Sequence, residues 1–133
     1  MDLGSRRIGV ATSDASGALA SPLEVVIRSG DPVLDHAAIR RLAEETGAER
    51  IVVGLPLSLD GREGPAAAAM RAEAEQLAVV VDVPVELFDE RLTTVSAHRA
   101  LAQRGLNSHA RRNVVDKAAA AVMLQAWLDG RPR

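Results

Sequence analysis

No cysteine occurs among the 133 residues, so disulfides and thiolate metal sites are excluded. Tyrosine is absent too, and the aromatic content is a single tryptophan, Trp127, and a single phenylalanine, Phe88. Aliphatic and alanine side chains must therefore fill the core, and stacking of bases on an aromatic platform is disfavoured as the main binding mode. No apolar run is long enough to span a membrane and no signal peptide opens the chain, which reads as a cytoplasmic protein without a membrane partner. An excess of positive charge is also missing. The formal net charge is -2, so a general basic coat for nucleic acid is excluded. A local basic patch is not, and Arg6, Arg7, Arg91, Arg111, Arg112 and Lys117 are its candidates. The plainer reading of those residues is a solvated surface.

What is present suits one folded domain covering residues 1–133, with a hydrophobic content of 47% to build its core. The opening third reads as three antiparallel extended runs: Asp2-Leu3, a run over 8–13 and a run over 18–27 interrupted by Pro22, which argues for an edge strand or a bend. Gly4 and Ser5 suit the first connection, and Ser29-Gly30-Asp31-Pro32 ends the third run. The period then changes. Leu34, Ala37, Ala38, Leu42 and Ala43 predict a helix over 33–46, with Gly47 as its C-cap. Ile51-Val52-Val53-Gly54-Leu55 predicts a short buried strand, 56–64 a loop turning at Asp60-Gly61, and 65–81 a helix opened by Pro65. A strand over 84–88, a helix over 93–104 capped by Thr93 or Thr94, and a last helix ending before Gly130 complete the order. The last two strands, joined by a helical crossover, are expected to be parallel. The class is α/β, a mixed sheet with helices packed on it.

Three acids stand in distinctive settings. Asp2 precedes a Gly-Ser-Arg-Arg turn, Glu90 follows a strand at its carboxyl end, and Asp116 lies in Val115-Asp116-Lys117-Ala118-Ala119. Ligands of open α/β sheets gather at strand carboxyl ends. Three carboxylates from separated elements are what a divalent metal needs to hold a phosphodiester for hydrolysis. Each acid also has a plain explanation. Asp2 could be a solvated terminal acid, Asp89 and Glu90 could favour the positive end of a following helix, and Asp116 could occupy the first turn of the last helix after an Asn113 N-cap. Against these stand Gly4 and Gly9, which allow close approach, and Asp116, Ala119, Ala120 and Met123, which share one helix face. His36, His98 and His109 lack ligand spacing and are assigned to surface or helix-flank positions.

Four segments together resemble the YqgF/RuvX family: Asp2-Leu3-Gly4-Ser5-Arg6-Arg7-Ile8-Gly9-Val10-Ala11, Val52-Val53-Gly54-Leu55-Pro56-Leu57 followed by Asp60-Gly61, Asp89-Glu90-Arg91-Leu92-Thr93-Thr94, and Val115-Asp116-Lys117-Ala118-Ala119. They run in the expected order and span nearly the whole chain. The resemblance implies a ribonuclease H-like fold with a five-stranded sheet in the order 3-2-1-4-5. It implies a metal-dependent nuclease, a hydrolase acting on the 5′ end of pre-16S rRNA in ribosome biogenesis, with Holliday-junction resolution on branched DNA as the older reading. Carried over by motif, Asp2, Glu90 and Asp116 form the acidic, catalytic and metal-holding site, with Asp89 as the alternative to Glu90. Mg²⁺ is the expected ion, or Mn²⁺ in its place. Arg7, Arg91 and Lys117 are expected to hold flanking phosphates, and the protein to act as a monomer or homodimer. Family members carry several apolar residues before the first aspartate, where this chain has Met1 alone. A chain extended upstream by about five residues is expected to be more stable and more active, because it would pair roughly 16 Å more of the neighbouring strands.

Two rivals remain at this stage. Asp-Leu-Gly-Ser also resembles the phosphate loop of actin-like ATPases and sugar kinases, but those need a second such domain to enclose a nucleotide. A non-catalytic nucleic-acid-binding module stands between that reading and the nuclease.

Overall fold

Alternation of side chains decides which way each strand faces. In the computed structural model, which describes residues 1–58, 60–92 and 109–131, β1 is Asp2–Leu3, β2 is Arg7–Ser13 and β3 is Ala20–Ile27. These form an antiparallel sheet in the order β1-β2-β3, with Leu3 opposite Ile8 and Asp2 opposite Gly9. Pro22 lies on β3, which among the described residues has β2 on one side only, an edge position that tolerates proline. The register shifts at Val10/Ala11, where β2 passes from Glu24 to Pro22 and skips Leu23.

Helix α1 is Pro32–Thr46. Asp31 caps it by accepting from the Val33 N–H at 2.9 Å, Pro32 occupies the first turn, and Gly47 ends it with φ 65°. Strand β4 is Ile51–Leu55, helix α2 is Pro65–Val80 and strand β5 is Val85–Asp89. β4 and β5 pair in parallel, as their helical crossover requires. A 3₁₀ turn, Glu90–Leu92, follows β5. The last element, α3, is His109–Asp129. It starts earlier than expected, so Asn113 is inside the helix and Asp116 is two turns from its start. The helix expected over 93–104 lies outside the described residues, as does His98.

The strands fall into two sheets, β1-β2-β3 and β4-β5, where one five-stranded sheet was expected. The physical reason is the brevity of β1. The two sheets meet through Met1, whose amine donates to Val52 O at 2.6 Å and whose carbonyl accepts from Gly54 N at 3.1 Å.

Two apolar layers cover the strands. Leu3, Ile8, Val10, Ile51 and Val53 face α1 and α2 and pack with Ile39, Leu42, Ala74 and Leu77. The opposite face carries Val52, packed with Ala119 and Met123 of α3, with Phe88 and Trp127 beside them. Ile8, Val53, Leu77 and Met123 are the largest fully buried side chains, each worth about 1.5–3 kcal/mol of burial. Small residues at 119 and 120 let α3 lie close to the strands. Among the described residues no helix is long and apolar enough to cross a membrane.

A charged network ties the β1–β2 turn to the helices beneath it. Arg28 donates from Nε to Gly4 O at 2.9 Å and from Nη1 and Nη2 to Glu73 at 2.6 and 2.8 Å, and its backbone N–H meets Arg6 O at 2.9 Å. His36 Nε2 lies 2.8 Å from Glu73. This corrects the surface placement of His36, which is 3% exposed. The turn of α1 that carries it faces α2, and Glu73 supplies the polar partner a buried imidazole needs. Burial raises the Glu73 carboxyl, but the hydrogen bonds from Arg28 and His36 outweigh it and hold it below its usual range.

Candidate active site

Cross-strand partners point to the same face of a sheet. Leu3 and Ile8 face α1 and α2, so Asp2 and Gly9 face the other way, toward α3. Asp116 is there. A β-carbon on Gly9 would collide with the Asp116 carbonyl oxygen and lie 2.8 Å from its carbonyl carbon, so only glycine admits the helix at this depth. Arg7 is two residues before Gly9 on the same strand and shares its face. Its Nε donates to Asp116 Oδ2 at 2.6 Å.

Glu90 lies on this side too. Val52 packs against α3, so Gly54, two residues on, faces that side as well. A β-carbon on Gly54 would lie 2.6 Å from Glu90 Oε1. The two glycines thus leave room beside the strands, one for the helix backbone that bears Asp116 and one for the Glu90 side chain. Gly54 was a bare motif position in the sequence. Its setting, after three β-branched residues in a five-residue strand, is the signal that a neighbour approaches there.

The three acids differ in exposure. Asp2 and Glu90 are 6% and 4% exposed, while the Asp116 side chain is 19% exposed. Burial pushes the Met1 amine down to about 6, and the Asp2 and Glu90 carboxylates both act on it in the opposite direction. Both carboxylates are therefore close to Met1. Asp89 has a different role from Glu90. It accepts from the Arg91 backbone N–H at 2.9 Å and from the Arg91 guanidinium at 2.9 and 2.6 Å. Those hydrogen bonds hold the Asp89 carboxyl below its usual range. The Arg91 guanidinium also lies over Gly61 of the 56–64 loop, 3.4 Å from where a β-carbon would stand. Lys117, next to Asp116, is half-buried and in no ion pair among the described residues. The side chains of His109, Arg111 and Arg112 lie outside the described residues.

The donor set is all carboxylate oxygen, which suits a hard divalent cation such as Mg²⁺ or Mn²⁺. Among the described residues, no group of three or more His, Asp or Glu side chains stands at metal-holding spacing. The Asp116 carboxylate is engaged by Arg7. One of the three carboxylates is thus turned to an internal cation.

The family described as "RuvX: Holliday junction resolvase" matches residues 1–130. A Rhodococcus opacus protein is 49% identical over 137 aligned residues, covering 100% of this chain and 77% of that protein. A Kineococcus radiotolerans protein is 50% identical, covering 97% and 69%, and one from Chloroflexus aggregans is 44% identical, covering 98% and 92%. Each of the three is named "Putative pre-16S rRNA nuclease". Among solved structures, Thermus thermophilus RuvC in complex with a Holliday junction substrate superposes with a TM-score of 0.58 at 19% identity, covering 96% of this chain and 89% of that one. That likeness shows a shared fold. With the family match running almost from end to end and the relatives near half identical throughout, this chain belongs to the RuvX family.

Proposed function

We propose that this chain is a metal-dependent nuclease that hydrolyses phosphodiester bonds in maturing the 5′ end of pre-16S rRNA, and that it works in the cytoplasm as a monomer or homodimer. The observation that carries the reading is the placement of Asp2, Glu90 and Asp116 on one face from three separate elements, with Gly9 and Gly54 clearing the space beside them. The names of the relatives supply the substrate. The two hydrogen bonds of Met1 to β4 support a single ribonuclease H-like sheet in the order β3-β2-β1-β4-β5.

In the mechanism, Asp2, Glu90 and Asp116 would hold the ion, and Arg7, Arg91 and Lys117 would hold phosphates on either side. When bound, Mg²⁺ or Mn²⁺ lowers the pKa of a water and neutralises charge at the scissile phosphate. Glu90 is preferred to Asp89 as ligand, because Asp89 is committed to Arg91 while Glu90 is buried against Gly54. Asp2 and Glu90 are buried, so their carboxylates are largely withdrawn from water. Paucity of aromatics leaves backbone shape, rather than base edges, as the feature read.

Cleavage of branched DNA is the second reading, favoured by the family description and by the fold shared with RuvC. Mg²⁺-dependent cleavage of precursor rRNA and of a four-way DNA junction, measured side by side, separates the two. Faster cleavage of the rRNA precursor is expected. Cleavage of the junction alone would make the chain a resolvase, and cleavage of neither would leave a binding module.

Lys117→Ala is expected to reduce the log–log salt slope of nucleic-acid binding by about 0.7 to 0.9, the share of one phosphate contact. Arg91→Ala should reduce it by less, since a phosphate must first displace Asp89. An unchanged slope in both variants would mean that neither side chain touches the backbone.

A further inference from the structure

Arg7 is held more loosely than the two other paired arginines that flank the site, Arg28 and Arg91. Arg28 is fixed at both Glu73 oxygens and at Gly4 O, and Arg91 meets Asp89 through its backbone N–H, Nε and Nη2. Arg7 makes one hydrogen bond, Nε to Asp116 Oδ2 at 2.6 Å, and among the described residues neither side chain has a second partner. The two side chains are 18% and 19% exposed, partly withdrawn from water without being sealed from it. Arg7 also shares a strand face with Gly9, beside the helix that bears Asp116 and on the side to which Asp2 points.

We infer that Arg7 is an exchangeable counter-ion: it neutralises Asp116 when no metal is bound, and it transfers to a substrate phosphate when a divalent cation takes Asp116. The inference rests on the metal-nuclease reading and adds the coupling between its two ligands. A half-buried carboxylate needs an opposite charge nearby. A guanidinium supplies one positive charge through one hydrogen bond, whereas a divalent cation brings two and binds the oxygen directly, so the cation displaces Arg7. Arg7 is then itself half-buried without a counter-ion, and its terminal nitrogens match the paired oxygens of a phosphate. The metal thus tightens substrate binding and, by linkage, substrate tightens metal binding. Before substrate arrives, Arg7 competes with the metal.

The test is calorimetric titration of Mn²⁺ into the full chain without nucleic acid, for the wild type, Arg7→Gln and Asp116→Asn. Arg7→Gln is expected to bind Mn²⁺ roughly fivefold more tightly, the scale of one partly exposed ion pair, while losing affinity for RNA in the presence of Ca²⁺. Asp116→Asn is expected to bind Mn²⁺ more weakly than the wild type. Should Arg7→Gln bind Mn²⁺ no more tightly while Asp116→Asn binds it less, the exchange is overturned and the metal site stands. Should Asp116→Asn leave Mn²⁺ binding untouched, the metal reading of Asp116 fails and takes the exchange with it. Wild-type protein gives an independent readout if Arg7→Gln does not fold. The Arg7 Nε–H, protected from solvent exchange by its bond to Asp116, should lose that protection at saturating Ca²⁺ in an NMR titration. Retained protection at saturation overturns the proposal.

Discussion

Glu90→Gln and Asp2→Asn are each expected to reduce Mg²⁺-dependent cleavage by roughly 100-fold or more, since loss of even a supporting residue at a metal site costs 10–100-fold. The fold should survive. Both replacements keep the shape of the side chain, and both remove a charge from a position less than a tenth exposed, where a charge is costly to keep. Asp116→Asn should lose cleavage to the same degree, with a different effect on stability. Asn keeps an oxygen for the Arg7 N–H but not the charge, so a loss of about 1 kcal/mol is expected. Cleavage rate and melting temperature measured on the same preparations check both halves. A cleaving Glu90→Gln variant would move the site to Asp89 or elsewhere. An Asp116→Asn variant that cleaves like the wild type would reduce Asp116 to a partner for Arg7.

Gly9→Ala should be strongly destabilising. The added methyl would meet the Asp116 carbonyl, a helix backbone atom that cannot rotate away as a side chain can. Helix α3 would have to lift from β2, opening the layer that holds Val52, Ala119 and Met123. Overpacking of this kind costs about 3 kcal/mol, a fall in melting temperature on the order of 10 °C for a chain of this size. Cleavage should fall further than stability explains, because Asp116 moves with the helix. Gly64→Ala is the control: nothing lies within 4 Å of its β-carbon position, and its φ of -81° suits alanine. Gly64 is the N-cap of α2, where alanine is less suited than glycine, so a loss of up to about 1 kcal/mol is expected, well short of that for Gly9→Ala. Equal melting temperatures for the two variants would mean that α3 does not rest on Gly9.

The parts of this fold written in local signals were legible in the sequence. Asp31-Pro32 and Gly47 bound α1 because a capping carboxylate and a left-handed glycine act within one turn of themselves. Pro22 marked an edge strand because a missing N–H is a local fact. The start of α3 was misplaced because an N-cap residue is only a preference, and asparagine inside a helix costs well under about 1 kcal/mol. Long-range pairing left no local trace. The Arg7–Asp116 contact spans 109 positions and the Met1–Val52 contact 51. His36 carries no sign of Glu73, 37 residues away, so the sequence alone points to a surface or helix-flank position. The acids stand out in the sequence by their motifs. What the sequence withheld was the order of their commitments: Asp89 to Arg91, Asp116 to Arg7, and Glu90 to the space beside Gly54.

The central claim is that Asp2, Glu90 and Asp116 form one metal centre. A crystal of the wild-type chain soaked in Mn²⁺, with an anomalous difference map, tests it most directly. The account predicts a strong peak on the α3 side of the strands, in contact with carboxylate oxygens of all three residues and with Asp116 released from Arg7. A peak held by other residues, in a protein shown to cleave under the same conditions, would contradict it.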